Sequence, residues 1–222
     1  MTIAELGAIC EANGLPLQSE QLAKLDTYAE LLRAKNQVVN LISRKDEENI
    51  LAKHILHSLT LIFLHVKLAG IEHGAKVFDL GTGGGLPGIP IKIARPDIEI
   101  TLCDSIAKKI TAVSEIVKVL ELQAHFIADR AENIAKKKEY KNKYDVFITR
   151  AVAPLDELTT WSHALLKKGG ALLALKGGDI KDEITKAKHL KFVASIEKAS
   201  LSLQDYEEFA KEEKKIVRVI LA

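Results

Sequence analysis

The sequence has two cysteines in 222 residues, Cys10 and Cys103, one in a helix-like segment and one in a strand-like run. That scarcity excludes a disulfide framework and suits reduced thiols in the cytosol. Excess charge is also missing: 32 basic against 30 acidic residues leave +2. A domain that binds nucleic acid indiscriminately is far more basic, so any such contact has to come from local patches. Long apolar runs are absent too. The richest, Leu59 to Leu64, is broken by Thr60 and followed by His65 and Lys67, and the N-terminus has no basic region leading into an apolar core. Neither export nor membrane insertion is expected. There is no internal repeat or low-complexity segment. The expectation is a cytoplasmic monomer with no membrane attachment.

What is present is a chain with 47% hydrophobic residues, enough for one well-filled core and a small helical appendage but not for two full domains. Residues 1–73 read as helices. Thr2 with Glu5 forms a capping-box pattern, and Ser19 precedes Leu22, Leu25, Ala29 and Leu32 at helical spacing. Leu51, Ile55, Leu59, Ile62 or Phe63, and Val66 make an apolar stripe of helical period that stops near Gly70. After Gly74, β-rich runs alternate with helical stretches. The runs are Lys76 to Leu80, Glu99 to Cys103, Ala124 to Ile127, Tyr144 to Thr149 and Ala171 to Lys176, with helices over Ala107 to Leu120 and Leu155 to Leu166. This alternation predicts an α/β fold, a doubly wound parallel sheet with right-handed connections. Two further runs, Phe192 to Ile196 and Ile216 to Leu221, suit a seven-stranded sheet with one antiparallel edge strand. The expected organisation is a helical region over 1–73 packed on an α/β domain over 74–222.

The sharpest local signal is Asp79-Leu80-Gly81-Thr82-Gly83-Gly84-Gly85-Leu86-Pro87-Gly88, where a buried strand ends and a helix begins. Glycines let the backbone turn tightly and approach a ligand, while the amides opening the next helix favour an anionic group. Gly83-x-Gly85-x-x-Gly88 by itself matches the dinucleotide fingerprint only weakly. The acid at the strand end, Asp79, is expected to repel a pyrophosphate and to suit a ligand with an ammonium or sulfonium group. S-adenosylmethionine carries both and has no phosphate.

Asp104, 19 residues beyond Gly85, stands at the end of the second strand, where a carboxylate accepts from both ribose hydroxyls of an adenosine ligand. The competing role is a helix N-cap, since Ser105 and a helix follow. Asp129-Arg130-Ala131-Glu132 follows the third strand, where backbone amides and an acid could face an adenine ring; Asp129 could equally cap the next helix. Arg150 emerges from the buried fourth strand at the mouth where open α/β sheets bind ligands.

Together these segments resemble the RsmG family, also called GidB, of small-subunit ribosomal RNA guanine-N7 methyltransferases. The resemblance rests on Asp79 to Pro90, on Thr101-Leu102-Cys103-Asp104-Ser105 with Lys108-Lys109, on Arg150-Ala151-Val152-Ala153-Pro154-Leu155, and on Leu175-Lys176-Gly177. It extends upstream to Asn40-Leu41-Ile42 and His54-Ile55-Leu56-His57-Ser58-Leu59. It implies a class I methyltransferase (Rossmann-like) fold of seven mostly parallel strands with helices on both faces and an N-terminal helical extension. It also implies S-adenosyl-L-methionine as cofactor, cofactor contact at Gly81, Leu86, Ala131, Glu132 and Arg150, and methylation of a guanine near the decoding region of 16S ribosomal RNA. The glycine loop and the ribose position add Gly83 and Asp104 to the cofactor set. Two residues depart from the family pattern: Gly84 fills a variable loop position, and His57 stands where members often carry Asp.

Guanine N7 already has an in-plane lone pair, so its methylation needs no general base and no covalent intermediate. Positioning then supplies most of the catalysis. The fourth-strand segment lacks the Asn/Asp-Pro-Pro-aromatic motif of amino-group methyltransferases, and neither cysteine is placed to attack a pyrimidine. A cation on N7 would block the attacking lone pair, so Arg150, the one catalytic candidate, is expected to act on the cofactor, on O6 or on phosphate. Lys108 and Lys176 are the expected RNA contacts, with Lys109 and the run Lys136-Lys137-Lys138, Lys141 and Lys143 as further candidates. No metal site is expected. The competing readings are a nicotinamide-dependent oxidoreductase, which shares the glycine loop and the ribose acid, and a non-catalytic RNA-binding assembly factor on the same fold.

Overall fold

Thr2 and Glu5 close the reciprocal capping box their spacing predicts: Thr2 N donates to Glu5 Oε2 at 2.7 Å and Glu5 N to Thr2 Oγ1 at 3.2 Å. They start α1 (Ile3–Ala12). The longer α2 (Ser19–Asn36) buries Leu25, Tyr28, Ala29, Leu32 and Asn36 along one side. A 3₁₀ turn, Arg44–Asn49, leads to a helical segment that departs from regular winding. Leu51–Leu56 is π-helical, His57–Leu59 is a single α-turn (α3), and Thr60–Ile62 is 3₁₀. The apolar stripe predicted one α-helix here. Ile55, Leu59, Ile62 and Phe63 are buried as that stripe requires and Leu51 is half-buried, but the Ser58 and Thr60 hydroxyls donate to the His54 and His57 carbonyls at 2.6 and 2.7 Å, competing with the backbone ladder. The computed structural model describes residues 1–63, 68, 70–150 and 152–222. Val66 of the stripe, Leu64, His65, Lys67 and Ala151 lie outside the described residues.

Seven strands form one sheet: β1 (Lys76–Leu80), β2 (Glu99–Asp104), β3 (His125–Ala128), β4 (Tyr144–Arg150), β5 (Leu166–Lys176), β6 (Val193–Ser200) and β7 (Lys215–Leu221). Their order is β3-β2-β1-β4-β5-β7-β6. Neighbours from β3 through β5 run parallel, and β7 runs antiparallel to both β5 and β6. The antiparallel strand was expected at the edge and is instead one strand inside it. The reason is apolar content: β7 buries Ile216, Val217, Val219 and Leu221, whereas β6 exposes residues such as Glu197 and Lys198, and charge suits an unpaired edge.

Alternation along the strands divides the core. Val77, Val146 and Ile148 face one layer with Leu6, Leu25, Leu32 and residues of α4 (Gly88–Ala94) and α5 (Ala107–Val119). Phe78, Phe147 and Leu172 face the other with α6 (Ala131–Ile134), α7 (Leu155–Leu165) and α8 (Lys181–Lys188). A short α9 (Glu208–Lys211) returns Phe209 to the first layer. The N-terminal helices therefore share a core with the sheet. Gln21 Nε2 donates to the carbonyls of Ile93 and Ala94 at 3.1 and 2.9 Å, and Tyr28 Oη donates to the Gly84 carbonyl at 2.9 Å. Chain order reverses between β1 and β4, which opens a crevice at the carboxyl ends of those strands, the place where such sheets hold ligands.

One glycine of the loop is required by packing alone. A Cβ on Gly88 would lie 2.5 Å from Leu102 Cδ2 and 2.6 Å from Asp79 Oδ2. Gly88→Ala is therefore expected to cost about 1–3 kcal/mol by overpacking, read as a lowered urea midpoint. An unchanged midpoint would mean that α4 can slide off β2 without loss.

Candidate functional site

At the carboxyl ends of β1, β2 and β4 lies a cavity of about 640 Å³. Every residue assigned to the cofactor from sequence lines it: Gly81, Gly83, Leu86, Asp104, Ala131, Glu132 and Arg150. Gly81 has φ +69°, and a Cβ there would fall 2.3 Å from Val152 Cγ2, so a side chain would distort both the turn and the cavity wall.

Five of the loop's amides are already committed. Thr82 N donates to the Cys103 carbonyl at 2.9 Å, and Gly85 N and Leu86 N donate to the Thr82 carbonyl at 2.8 and 2.7 Å. Gly83 N donates to Asp104 Oδ2, and Gly88 N to Asp79 Oδ2, both at 3.0 Å. A loop that cradles a pyrophosphate needs such groups free. The amide opening α4 thus meets Asp79 rather than a ligand.

That arrangement corrects the reading of Asp79. Its carboxyl was expected beside the ligand, but it is fully buried beneath the loop and absent from the cavity wall. Oδ2 also accepts from Thr82 Oγ1 at 2.6 Å, while Oδ1 is buried without a partner. Burial pushes the carboxyl up to about 7 against the pull of the Thr82 and Gly88 bonds. The occupied amides, one of them held by Asp79, leave the loop poorly furnished to cradle a pyrophosphate.

Asp104 does reach the cavity. Besides Gly83 N it accepts from Ile106 N, at 2.9 Å on Oδ1. Each oxygen holds one backbone amide and keeps a second lone-pair direction for a hydroxyl. The local turn role and the ligand role are thus compatible. Asp129 also lines the cavity and does not cap α6, whose first turn has no side-chain cap; it accepts from Arg130 N and Asn133 Nδ2 at 2.8 Å each and pairs with Lys137 at 3.0 Å. Its carboxyl is held down to about 2 by the Asn133 bond first, then by Lys137.

Sequence reasoning missed the apolar part of the wall. Leu41, Ile106, Val152 and Trp161 line the cavity, and Ile106 and Val152 are each 40% exposed, high for residues of their kind. Their signal was position: each of these two lies two residues past a polar strand end, Asp104 and Arg150.

Arg150 joins this cavity to a second one of about 720 Å³. The second is lined by Asp46, Lys53, His54, His57, the Leu175-Lys176-Gly177 segment, Glu212 and Lys214. Arg150 Nη1 contacts His54 Nδ1 at 2.8 Å and the Lys53 carbonyl at 3.3 Å. Burial lowers His54 to about 4 and drives His57 well below the usual imidazole range, with Arg150 adding to both shifts. His57 packs on Phe209, ring centroids 5.1 Å apart.

The expected RNA contacts divide. Lys108 is exposed on α5, and its neighbour Lys109 lines the first cavity. Lys176 is nearly buried and committed: its Nζ pairs with Glu183 and donates to the Ala153 carbonyl, both at 2.7 Å. Two of its three N–H donors are thereby engaged, while the residue lines the second cavity. Lys136, Lys138, Lys141 and Lys143 are exposed. Both cysteines are buried and free, with thiols pushed up to about 12 by burial. Among the described residues no group of three His, Cys, Asp or Glu is placed to hold a metal, and no helix is long and apolar enough to cross a membrane.

The family model described as rRNA small subunit methyltransferase G matches residues 21–213. Over 201 residues the chain is 41% identical to ribosomal RNA small subunit methyltransferase G of Chlorobaculum tepidum, covering 86% of this chain and 87% of that protein. Over 183 residues it is 43% identical to the protein of the same name from Chlorobium luteolum, covering 82% and 73%. Its fold is similar to that of a TehB-like SAM-dependent methyltransferase from Corynebacterium glutamicum, with TM-score 0.52 and 13% identity over 68% of this chain and 83% of that one. The YcgJ protein from Bacillus subtilis is similar at TM-score 0.54 and 13% identity, over 74% and 97%.

Proposed function

The chain belongs to the rRNA small subunit methyltransferase G family, and from that membership we propose that it transfers a methyl group from S-adenosylmethionine to N7 of a guanine in 16S ribosomal RNA. The observation that carries the reading is the pair of cavities meeting at Arg150, one walled by the glycine loop and Asp104, the other open beside it.

The residues present fit the cofactor by their donor set. Asp104 has two acceptor oxygens for the ribose hydroxyls, Ala131 and Glu132 line the same cavity and would face the adenine, and the loop has few free amides for phosphate. When bound, S-adenosylmethionine supplies a methyl group on a sulfonium. Guanine N7 attacks with a lone pair it already has, so no protein group has to take a proton. That is consistent with a site whose two histidines are held neutral and whose thiols are buried. Alignment of methyl and N7 can supply about 7–11 kcal/mol of the barrier. Arg150, with five donors and no acceptor, acts on an oxygen of cofactor or nucleotide rather than on N7. Lys108 remains an RNA candidate from its exposure, and the commitment of Lys176 to Glu183 argues for a structural part in the second cavity's wall.

The test is transfer of radiolabelled methyl to small ribosomal subunits lacking their own modification, followed by nucleoside analysis. Label in 7-methylguanosine is the expected result. Label in another nucleoside would move the acceptor atom, and no label in any RNA would withdraw the substrate.

A further inference from the structure

Arg150 is a cation with no carboxylate in direct contact among the described residues, Asp79 and Asp46 acting on it only through space. It ends β4 and lines both cavities, yet among the described residues it enters no ion pair with Asp or Glu. A charge removed from water is costly unless something pairs with it. Here the partners are neutral: the Lys53 carbonyl and His54 Nδ1.

A guanidinium can only donate, so His54 Nδ1 accepts, which makes the ring neutral with its proton on Nε2. That Nε2 is buried and unpartnered, with the nearest acid oxygen, Asp46 Oδ2, at 3.9 Å. The ring's one hydrogen bond among the described residues is the one to Arg150. Lys53 and His54 both lie in the π-helical Leu51–Leu56, a rare winding that recurs at functional sites, and it is this segment that brings the two acceptors to one guanidinium nitrogen.

We infer that His54 is a positioning residue: it aims Arg150 between the two cavities through a neutral hydrogen bond, leaving the arginine's charge for an oxygen of the bound ligand. A carboxylate in the same place would hold the arginine equally well and cancel its charge. The inference rests on the methyltransferase reading for its ligands. The oxygen can come from the carboxylate of S-adenosylmethionine or from the acceptor nucleotide, and the two sources are separable by measurement.

The experiment compares wild type with His54→Asn and His54→Asp. Both replacements place an oxygen near the position of Nδ1, and only one of them is charged. Each protein is measured for thermal stability, for S-adenosylmethionine affinity by calorimetry, and for kcat and KM with undermodified small subunits. His54→Asn is expected to stay within about threefold of wild type. His54→Asp is expected to be at least as stable as His54→Asn and to lose tenfold or more. A loss in cofactor affinity assigns the oxygen to the cofactor, and a loss in kcat/KM for subunits alone assigns it to the nucleotide. Equal behaviour of the Asn and Asp variants in both measurements overturns the inference. Should the Asp variant not fold, His54→Leu, which keeps bulk and removes the acceptor, is expected to show the same tenfold loss, and wild-type values for it overturn the inference. Absence of methyl transfer by the wild type would count against the functional reading itself, while the cofactor affinities would still decide the role of His54.

Discussion

Replacing Asp104 with alanine is expected to weaken S-adenosylmethionine binding about a hundredfold, close to 3 kcal/mol. Four hydrogen-bond losses meet at this carboxylate. Gly83 N and Ile106 N donate to it at 3.0 and 2.9 Å, and the ribose hydroxyls of the proposed cofactor would use its remaining lone pairs. A hydrogen bond to a charged acceptor is worth about 1.5–3 kcal/mol, so the ligand contact alone accounts for at least tenfold. The rest comes from the loop, because Gly83 would lose the partner that fixes it against β2. Asp104→Asn, which retains one acceptor oxygen, is expected to fall between alanine and wild type. Calorimetric titration with S-adenosylmethionine reads all three. Alanine with wild-type affinity would place the ribose elsewhere along the wall.

The strands could be read from sequence because each is a short β-rich run bounded by turn residues, and β1 coincides with the expected Lys76 to Leu80. The lining of the crevice could be read for a related reason: in an open parallel sheet, residues just past strand ends converge on one crevice whatever their spacing in the chain. Distances across the fold were not legible in that way. Nothing local tells that Asp79 turns under the loop to hold Thr82 and Gly88, or that Lys176 is claimed by Glu183. The π-winding of Leu51–Leu56 was hidden because the same apolar residues satisfy an ordinary helix. His54 could be quoted as part of a family motif, but its partner lies 96 residues away. The second cavity was invisible for the same reason, since its wall is assembled from segments of the N-terminal helices, β4, β5 and the tail.

Asp79 leads to the other large effect, on stability rather than binding. Its carboxyl titrates near 7 in the folded protein, raised by burial from the 3.8 ordinary for an aspartate in water. Below pH 3.8 the group is protonated in both states, and its burial carries no ionisation penalty. As pH rises from there toward 7, the unfolded chain ionises while the folded one keeps its proton, so the folded state progressively loses this advantage. The loss approaches ~4 kcal/mol by pH 8, because each tenfold change in proton affinity between the two states is worth about 1.4 kcal/mol. Asp79→Asn removes the titration. Its amide oxygen can still accept from Thr82 and Gly88, and its NH₂ takes the place of Oδ1, which has no partner in the wild type. Urea unfolding at about pH 5 and about pH 8.5 should therefore show the stability difference between variant and wild type moving in favour of Asn by about 2–3 kcal/mol as pH rises. A difference that stays constant would mean that the Thr82 and Gly88 bonds hold the carboxylate ionised throughout. Cofactor affinity provides the complementary test of position: because Asp79 does not line the cavity, Asp79→Asn should bind S-adenosylmethionine within a few-fold of wild type. A tenfold loss would instead restore the carboxylate to a direct electrostatic role across the loop, which its burial argues against.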